Sequence, residues 1–376
     1  MQSIQPYTGV TILDFTYELG SYATRLFADL GATVIRIESE EGAADRKQIQ
    51  ESTNIDARLM ASNTFAFRNA SKTALFFKPS NTEIIESHLN KADFIFLERG
   101  GLFAEQIDEI RRKNSKAIIT YISPYGLSGP NIELEANDLT LQAAGGIAWM
   151  SGRSEISPLR LPADQSAMIT SVYAAVASAA AFFDAELNNN GHLIDISAQE
   201  CIAHSLQNAL QVYDLEGRIS SRNGEGTRDA TEDIFECKDG HMLLASPLAL
   251  GPSWGSLVAW VKEAGHPAFD TLIQANWLDP QWRKTSQAKL EFRKEFSDFI
   301  FRYTKAEIME QALKRKIVMS PINNISEVLD DKQLAYRDYF KKLEINNSGK
   351  KVTYPGAPYQ FSEDIWSIAP PPHFSA

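Results

Sequence analysis

Residues 10–38 read VTILDFTYELGSYATRLFADLGATVIRIE. Two short apolar runs, Val10–Phe15 and Thr33–Glu38, flank a stretch, Tyr22–Leu30, with helical spacing of its apolar residues, and Gly31 supplies the stop. The unit is strand–helix–strand. The alternation continues downstream, with strands expected at Thr73–Phe77, Asp93–Leu97 and Ala117–Ile122 and helices at Asn81–Leu89 and Phe103–Arg112. Strands alternating with helices specify parallel βαβ units in a doubly wound α/β sheet, whose ligands bind beyond the carboxyl ends of the strands.

The pattern changes after Gly126–Pro130. A long Ala-rich helix is expected at Ala163–Leu187, stopped by Asn188–Gly191, followed by a strand at His192–Ser197 and a helix at Ala198–Tyr213. Gly217–Thr231 is polar and Gly-rich and reads as a loop. A second region begins near Glu232, with a strand at His241–Ser246, helices at Ser253–Ala264, Gln287–Tyr303 and Lys305–Arg315, and a Pro-punctuated, strand-like tail at Lys351–Phe361. A chain of 376 residues exceeds the size of a single hydrophobic core, so two domains are expected.

Composition narrows the function classes. The net charge of −11 argues against a nucleic-acid partner, which needs clustered Lys and Arg. An acidic protein that binds an anionic ligand must concentrate positive potential locally. No run approaches about 20 consecutive apolar residues, so no membrane span is expected. No leader pattern opens the chain. The two cysteines, Cys201 and Cys237, read as free core thiols. The six histidines form no paired ligand motif, so no metal site is expected. No G-x-S-x-G elbow occurs.

Several features could carry chemistry. Asp164 opens the Ala-rich helix. It reads as an ordinary N-cap, or as a carboxylate nucleophile held at a helix N-terminus. Gly145-Gly146 is a plain turn or a point of close ligand approach. Ser123–Pro130 is a binding loop or a rigid turn. Arg36 is a ligand contact at a strand end or a snorkelling surface arginine; Lys78 carries the same pair of readings. The turn Thr16–Ser21 leads into a helix N-terminus able to receive a phosphate.

Taken in order, these segments resemble family III CoA-transferases. Val10–Phe15 with Ala23–Glu38 is similar to the family's opening motif, and Gly42–Arg46 to the next. Ser123–Pro130, Asp138–Gly146 (DLTLQAAGG), Pro162–Asp164 with its helix, Gly191–Ala198, Val318–Asp331 and Pro355–Ser362 follow in the family's order. The resemblance covers nearly the whole chain.

It implies a Rossmann-like large domain, 1–215 plus 332–376, that binds CoA. It also implies a smaller inserted α+β domain, 225–331, and an interlocked homodimer in the cytoplasm. It implies an enzyme moving coenzyme A from an acyl-CoA thioester to a small free carboxylic acid, with CoA as substrate, no metal and no membrane. Asp164 would be the nucleophile and Asp138 an acidic partner. Apart from the resemblance, the backbone N–H groups near Gly145-Gly146 are read here as donors able to stabilise the tetrahedral oxyanions. Arg36, Leu75 and Lys78 match nucleotide-holding positions. Tyr17, Glu18 and Arg99 stand at further cofactor positions, where this sequence departs from the family's Ala-Gly-Pro turn and Asn-Phe pair. Asn223–Gly226 is at best a remnant of a glycine-rich lid, and Glu135 replaces a basic residue. Two alternatives stay open. A racemase acting on α-methylacyl-CoA would need a His where Asn137 stands. A non-catalytic homologue is the other.

Overall fold

The computed structural model describes residues 4–51, 63–153, 156–222, 228–344 and 351–372. The chain divides into two compact units, Met1–Ile219 with Arg337–Ala376, and Ser220–Tyr336.

The first unit is built on a six-stranded, all-parallel sheet, the α/β class expected from residues 10–38. Its strands are β1 (Thr11–Asp14), β2 (Thr33–Ser39), β3 (Thr73–Phe77), β4 (Phe94–Glu98), β5 (Ile118–Ser123) and β6 (His192–Ser197), in spatial order β3-β2-β1-β4-β5-β6. The strand order reverses between β1 and β4, which pair directly, Asp14 against Phe96. A crevice opens beyond the carboxyl ends of strands at such a reversal. Strand β4, FIFLE, is buried throughout because helices cover both faces. Phe94 and Phe96 enter the core shared with Phe27 and Phe182, while Ile95 and Leu97 enter the core on the opposite face.

Four helices matter for the site: α1 (Ser21–Asp29), α2 (Ala44–Glu51), α3 (Asp138–Ala144) and α4 (Gln165–Asn188). Helix α4 packs on α1, α3, β5 and β6. By length and composition it could cross a bilayer, contrary to the reading from uninterrupted apolar runs. Ser and Thr break the run without making the helix polar, and Ser166, Thr170, Ser171 and Ser178 are buried in the unit. It ends at Asn189 in the left-handed conformation. A Cβ at Gly191 would stand 2.5 Å from the Ser115 carbonyl oxygen, so the chain must be glycine where it enters β6.

Some boundaries differ from expectation. The helix expected over Ala198–Tyr213 is two helices, α5 (Ala198–Ser205) and α6 (Ala209–Glu216), separated at Gln207 with φ 56°. The Asn81–Leu89 and Phe103–Arg112 helices each open with a 3-10 turn. In the first unit, β10 (Phe340–Glu344) pairs antiparallel with β11 (Lys351–Pro355), and the tail bonds back through Ser367 N to the Asp29 carbonyl. The second unit has a three-stranded antiparallel sheet of β7 (Asp233–Cys237), β8 (Gly240–Leu244) and β9 (Met319–Ile322). Helices cover it around a core of Trp254, Trp277, Phe292, Phe296 and Phe299. Its buried Arg283 is held by both Asp229 oxygens, at 2.7 and 2.9 Å. Cys201 and Cys237 are both buried and free. Asn223–Gly226 lies outside the described residues.

Candidate active site

Asp164 occupies the N-cap position of α4, yet its side chain makes no capping hydrogen bond. The capping reading is therefore corrected. The cap comes from Asp138, the first residue of α3, whose Oδ1 accepts from Ser166 N at 3.0 Å. Asp138 Oδ2 accepts from Gln142 Nε2 at 2.8 Å. Nor does Asp138 cap its own helix, because Asn137 does so, accepting from Thr140 N at 3.0 Å. With Ser166 N in the first turn of α4 capped by Asp138, the Asp164 carboxylate is left free to project elsewhere. Ala163, immediately before it, has φ 59°, a left-handed conformation that costs an alanine on the order of 1–3 kcal/mol. That strained residue turns the chain as it delivers Asp164.

The Asp164 side chain is 45% exposed and is gripped by Arg68, with Nη2 2.8 Å from Oδ2 and a side chain only 7% exposed. Sequence reasoning did not single out Arg68. It closes the helical residues 63–68, far from Asp164 in the chain, and no local pattern marks it. Glu18 belongs to the same cluster. Burial pushes its carboxyl above the usual range, Arg68 opposes this, and the Asp164 and Asp138 charges add to it.

Beside the cluster, Tyr17, Glu18, Leu19, Glu98, Arg99, Pro124, Glu135 and Asn137 line a cavity of about 110 Å³ at the β1–β4 reversal. Tyr17 Oη donates to the Arg99 carbonyl at 2.8 Å, and Arg99 donates through Nη1 to the Leu134 carbonyl at 3.1 Å. Of the positions named from sequence, Tyr17, Glu18, Arg99, Asp138 and Asp164 thus come together.

The turn Thr16–Ser21 does not offer a vacant anion site. The Glu98 carboxylate, 2% exposed, accepts backbone N–H bonds from Tyr17, Glu18, Leu19 and Gly20 at 3.0–3.2 Å. An internal carboxylate fills the place proposed for a phosphate. Burial pushes Glu98 up to about 7, against the four N–H donors that pull it down. The folded protein therefore holds a proton that the unfolded chain releases near the ordinary value of 4.5, and the stability tied to Glu98 falls as pH rises from 4.5 towards 7. Glu98→Gln is expected to flatten the pH dependence of the unfolding midpoint across that window. An unchanged slope would show that Glu98 is ionised throughout.

The remaining predicted positions lie elsewhere or are already engaged. Gly145 N donates to the Leu141 carbonyl at 2.8 Å and Gly146 N to the Ala143 carbonyl at 3.2 Å, so neither is available to an oxyanion. The glycines are required by packing. A Cβ at Gly145 would sit 2.4 Å from Ile202, and Gly146 has φ 90°. Arg36 is not a snorkelling surface residue. It is fully buried, donating to Glu38 (3.2 Å), Asn69 (2.7 Å) and Asp45 (2.6 Å). Leu75 packs partly buried beside β2. Lys78 is half exposed and pairs with Glu40 at 3.1 Å. Ser123–Pro130 is a pinned turn, with Gly126 N donating to Ser123 Oγ at 2.7 Å and Leu127 N to Asp195. Among the described residues, no group of three His, Cys, Asp or Glu side chains is arranged to hold a metal.

Residues 7–374 match CoA-transferase family III, and the chain belongs to that family. It is 29% identical over 375 residues to the succinyl-CoA:(R)-benzylsuccinate CoA-transferase subunit BbsE of Thauera aromatica, covering 97% of this chain and 90% of that one. It is 23% identical over 368 residues to the succinyl-CoA:mesaconate CoA-transferase of Haloarcula hispanica, covering 94% and 89%. A CAIB/BAIF family protein from Brucella suis shares the fold, with a TM-score of 0.83, 18% identity and coverage of 99% and 96%. The chain is thus a family III CoA-transferase, an enzyme class that acts on CoA thioesters.

Proposed function

We propose that this enzyme moves CoA between carboxylic acids through a covalent relay on Asp164, and that the acids are dicarboxylic. The observation that carries the reading is a half-exposed carboxylate at the mouth of α4, relieved of capping by Asp138 and oriented by Arg68. Two anions do not exchange a thioester unaided, and a protein carboxylate splits the reaction into easier steps. Asp164 attacks the acyl carbon of the donor thioester. The C–S bond breaks, CoA leaves as thiolate and a mixed anhydride remains. Thiolate then attacks the aspartyl carbonyl, releasing the donor carboxylate and forming an aspartyl–CoA thioester. The acceptor carboxylate attacks that carbonyl and expels thiolate again. Thiolate takes the acceptor's acyl group from the second anhydride, which frees Asp164. With Gly145 and Gly146 engaged, the Arg68 guanidinium is the donor beside Asp164 suited to oxyanion charge. Lys78, half exposed, and Arg99, partly exposed, are the predicted basic nucleotide contacts that are not fully buried, and CoA is assigned to them in preference to Arg36. Both named relatives act on succinyl-CoA and a second dicarboxylic acid, which supports the substrate class.

Hydroxylamine trapping tests the relay. Incubation with succinyl-CoA and hydroxylamine is expected to leave a hydroxamate on Asp164, read by peptide mass spectrometry; modification at another carboxylate or none refutes it. The racemase alternative is not favoured, because Asn137 is a helix cap and an amide does not exchange a proton at useful pH.

The proposed state is a cytoplasmic homodimer. Val172, Val176, Phe183 and Leu187 fall on one stripe of α4 and are exposed in the single chain. A second copy covering them accounts for a stripe that a lone chain would leave in water. Sedimentation of the purified chain is expected to give a dimer at micromolar concentration. A folded monomer would point instead to a different partner subunit, as the word subunit in the Thauera relative's name allows.

A further inference from the structure

We infer that Arg160 receives the second carboxylate of the dicarboxylic substrate, an assignment that rests on the transfer reading proposed for Asp164. Arg160 lies four residues before Asp164 and is 53% exposed. Its charged contact is a long one, Nη1 to Asp138 Oδ2 at 3.5 Å. Asp138 is already satisfied by Ser166 N and Gln142 Nε2, so it leaves most of the Arg160 donors unspent. A guanidinium presents five N–H donors in a planar fork that matches a carboxylate in two parallel hydrogen bonds.

The backbone that carries Arg160 is fixed. Leu161 N donates to Gln142 Oε1 at 2.7 Å, and Gln142 Nε2 reaches the Leu161 carbonyl at 3.4 Å. The Gln142 side chain thus ties the Arg160 segment to α3, while Asp138 on the same helix ties α3 to the first turn of α4. Arg160 and Asp164 are held to a common support, with the Asp138 carboxylate between Arg160 and the mouth of α4. Among the described residues, Arg68 and Arg160 divide the work at this corner. Arg68 is nearly buried and committed to Asp164, whereas Arg160 is exposed and has donors to spare. An acid whose reacting carboxyl group meets Asp164 extends its far end towards Arg160. A monocarboxylic acid of the same length places a methyl group there and gains nothing. Since Glu18, Asp138 and Asp164 crowd the corner with negative charge, a second carboxylate needs a dedicated cation to be accepted at all.

The test is titration calorimetry of the full chain with succinate, glutarate and butyrate, on the parent enzyme and on Arg160→Gln and Arg160→Lys. The parent is expected to favour the two diacids over butyrate. Arg160→Gln is expected to weaken diacid binding by at least about tenfold and leave butyrate unchanged, as loss of a charge-assisted hydrogen-bonded pair requires. Arg160→Lys keeps the charge without the fork and should recover part of the loss. A half-exposed side chain with one long contact can be replaced without unfolding, and equal melting temperatures of the three proteins check this. A parent enzyme without diacid preference, an Arg160→Gln enzyme that keeps it, or an equal loss for diacid and monoacid overturns the assignment. Hydroxylamine trapping reports separately on the covalent relay. A failed trap with an intact, Arg160-dependent preference removes the mechanism and not the subsite.

Discussion

Asp164→Asn is expected to abolish CoA exchange, by at least about a thousandfold in kcat, while the protein folds with near-parent stability. The amide keeps an oxygen for Arg68 but is no nucleophile towards an acyl carbon, so the relay loses its first step. Stability is spared because the Asp164 side chain caps nothing; the side-chain cap on the first turn of α4, at Ser166 N, comes from Asp138. Asp164→Ala is also expected to be inactive and to cost more. It leaves the nearly buried Arg68 guanidinium without its partner, a loss of about 1–3 kcal/mol. Steady-state exchange assays and thermal unfolding of both variants check the pair of outcomes. Turnover near the parent rate in either variant would show that another group carries the acyl chain.

Arg36→Met should be the most destabilising single change in the first unit, by about 3–5 kcal/mol, because it breaks a buried ion network from its centre. Arg36 joins Glu38, Asp45 and Asn69 beneath the carboxyl ends of β1 and β2. Glu38 keeps Arg46, at 2.7 and 2.6 Å, and Asp14 keeps Lys72 at 2.8 Å. Asp45 is left with a 3.3 Å contact from Asn69 and, among the described residues, no ion pair, with only the more distant Lys72 charge to favour its ionised form. Burial already pushes Asp45 above the usual carboxylate range, and Arg36 is the main group opposing that. Without Arg36 the folded-state value rises further above the unfolded one, so the variant's penalty is largest above that value and shrinks as acid protonates Asp45. The melting temperature at neutral pH is expected to fall by roughly 10 °C, at about 2–4 °C per kcal/mol for a unit of this size. An unchanged melting temperature with weakened CoA binding would restore Arg36 to the nucleotide site.

Much of the molecule was legible because its signals are local. The alternation of apolar runs and helical periodicity in residues 10–123 gave a parallel sheet, since strands buried on both faces must be continuously apolar and parallel strands need crossovers. Asn188–Gly191 marked a helix end because left-handed backbone and close approach to Ser115 tolerate little else. The errors share one cause, the destination of a polar group. Arg36 in an apolar strand has the same local sequence whether its guanidinium meets solvent, a nucleotide or a buried carboxylate. Glu98, the acid closing the run FIFLE, was not singled out, and nothing near it in the chain shows that four N–H groups from the turn after β1 surround it. The glycine pair likewise was found for the wrong reason, because Ile202 and Leu206 lie far along the chain.

By itself the sequence determined the class of fold, the order of its elements, and which carboxylate stands at the mouth of the Ala-rich helix, because propensity, periodicity and stop signals act over a few residues. Only the tertiary structure decided which carboxylate caps that helix, which arginine holds Asp164 and which remains open to a ligand. Those are pairings across tens of residues, set by where the fold places α3, α4 and the segment ending at Arg68. Hydrogen bonds and ion pairs are satisfied by whatever partner the fold brings within about 3 Å, and that partner leaves no mark in the local sequence.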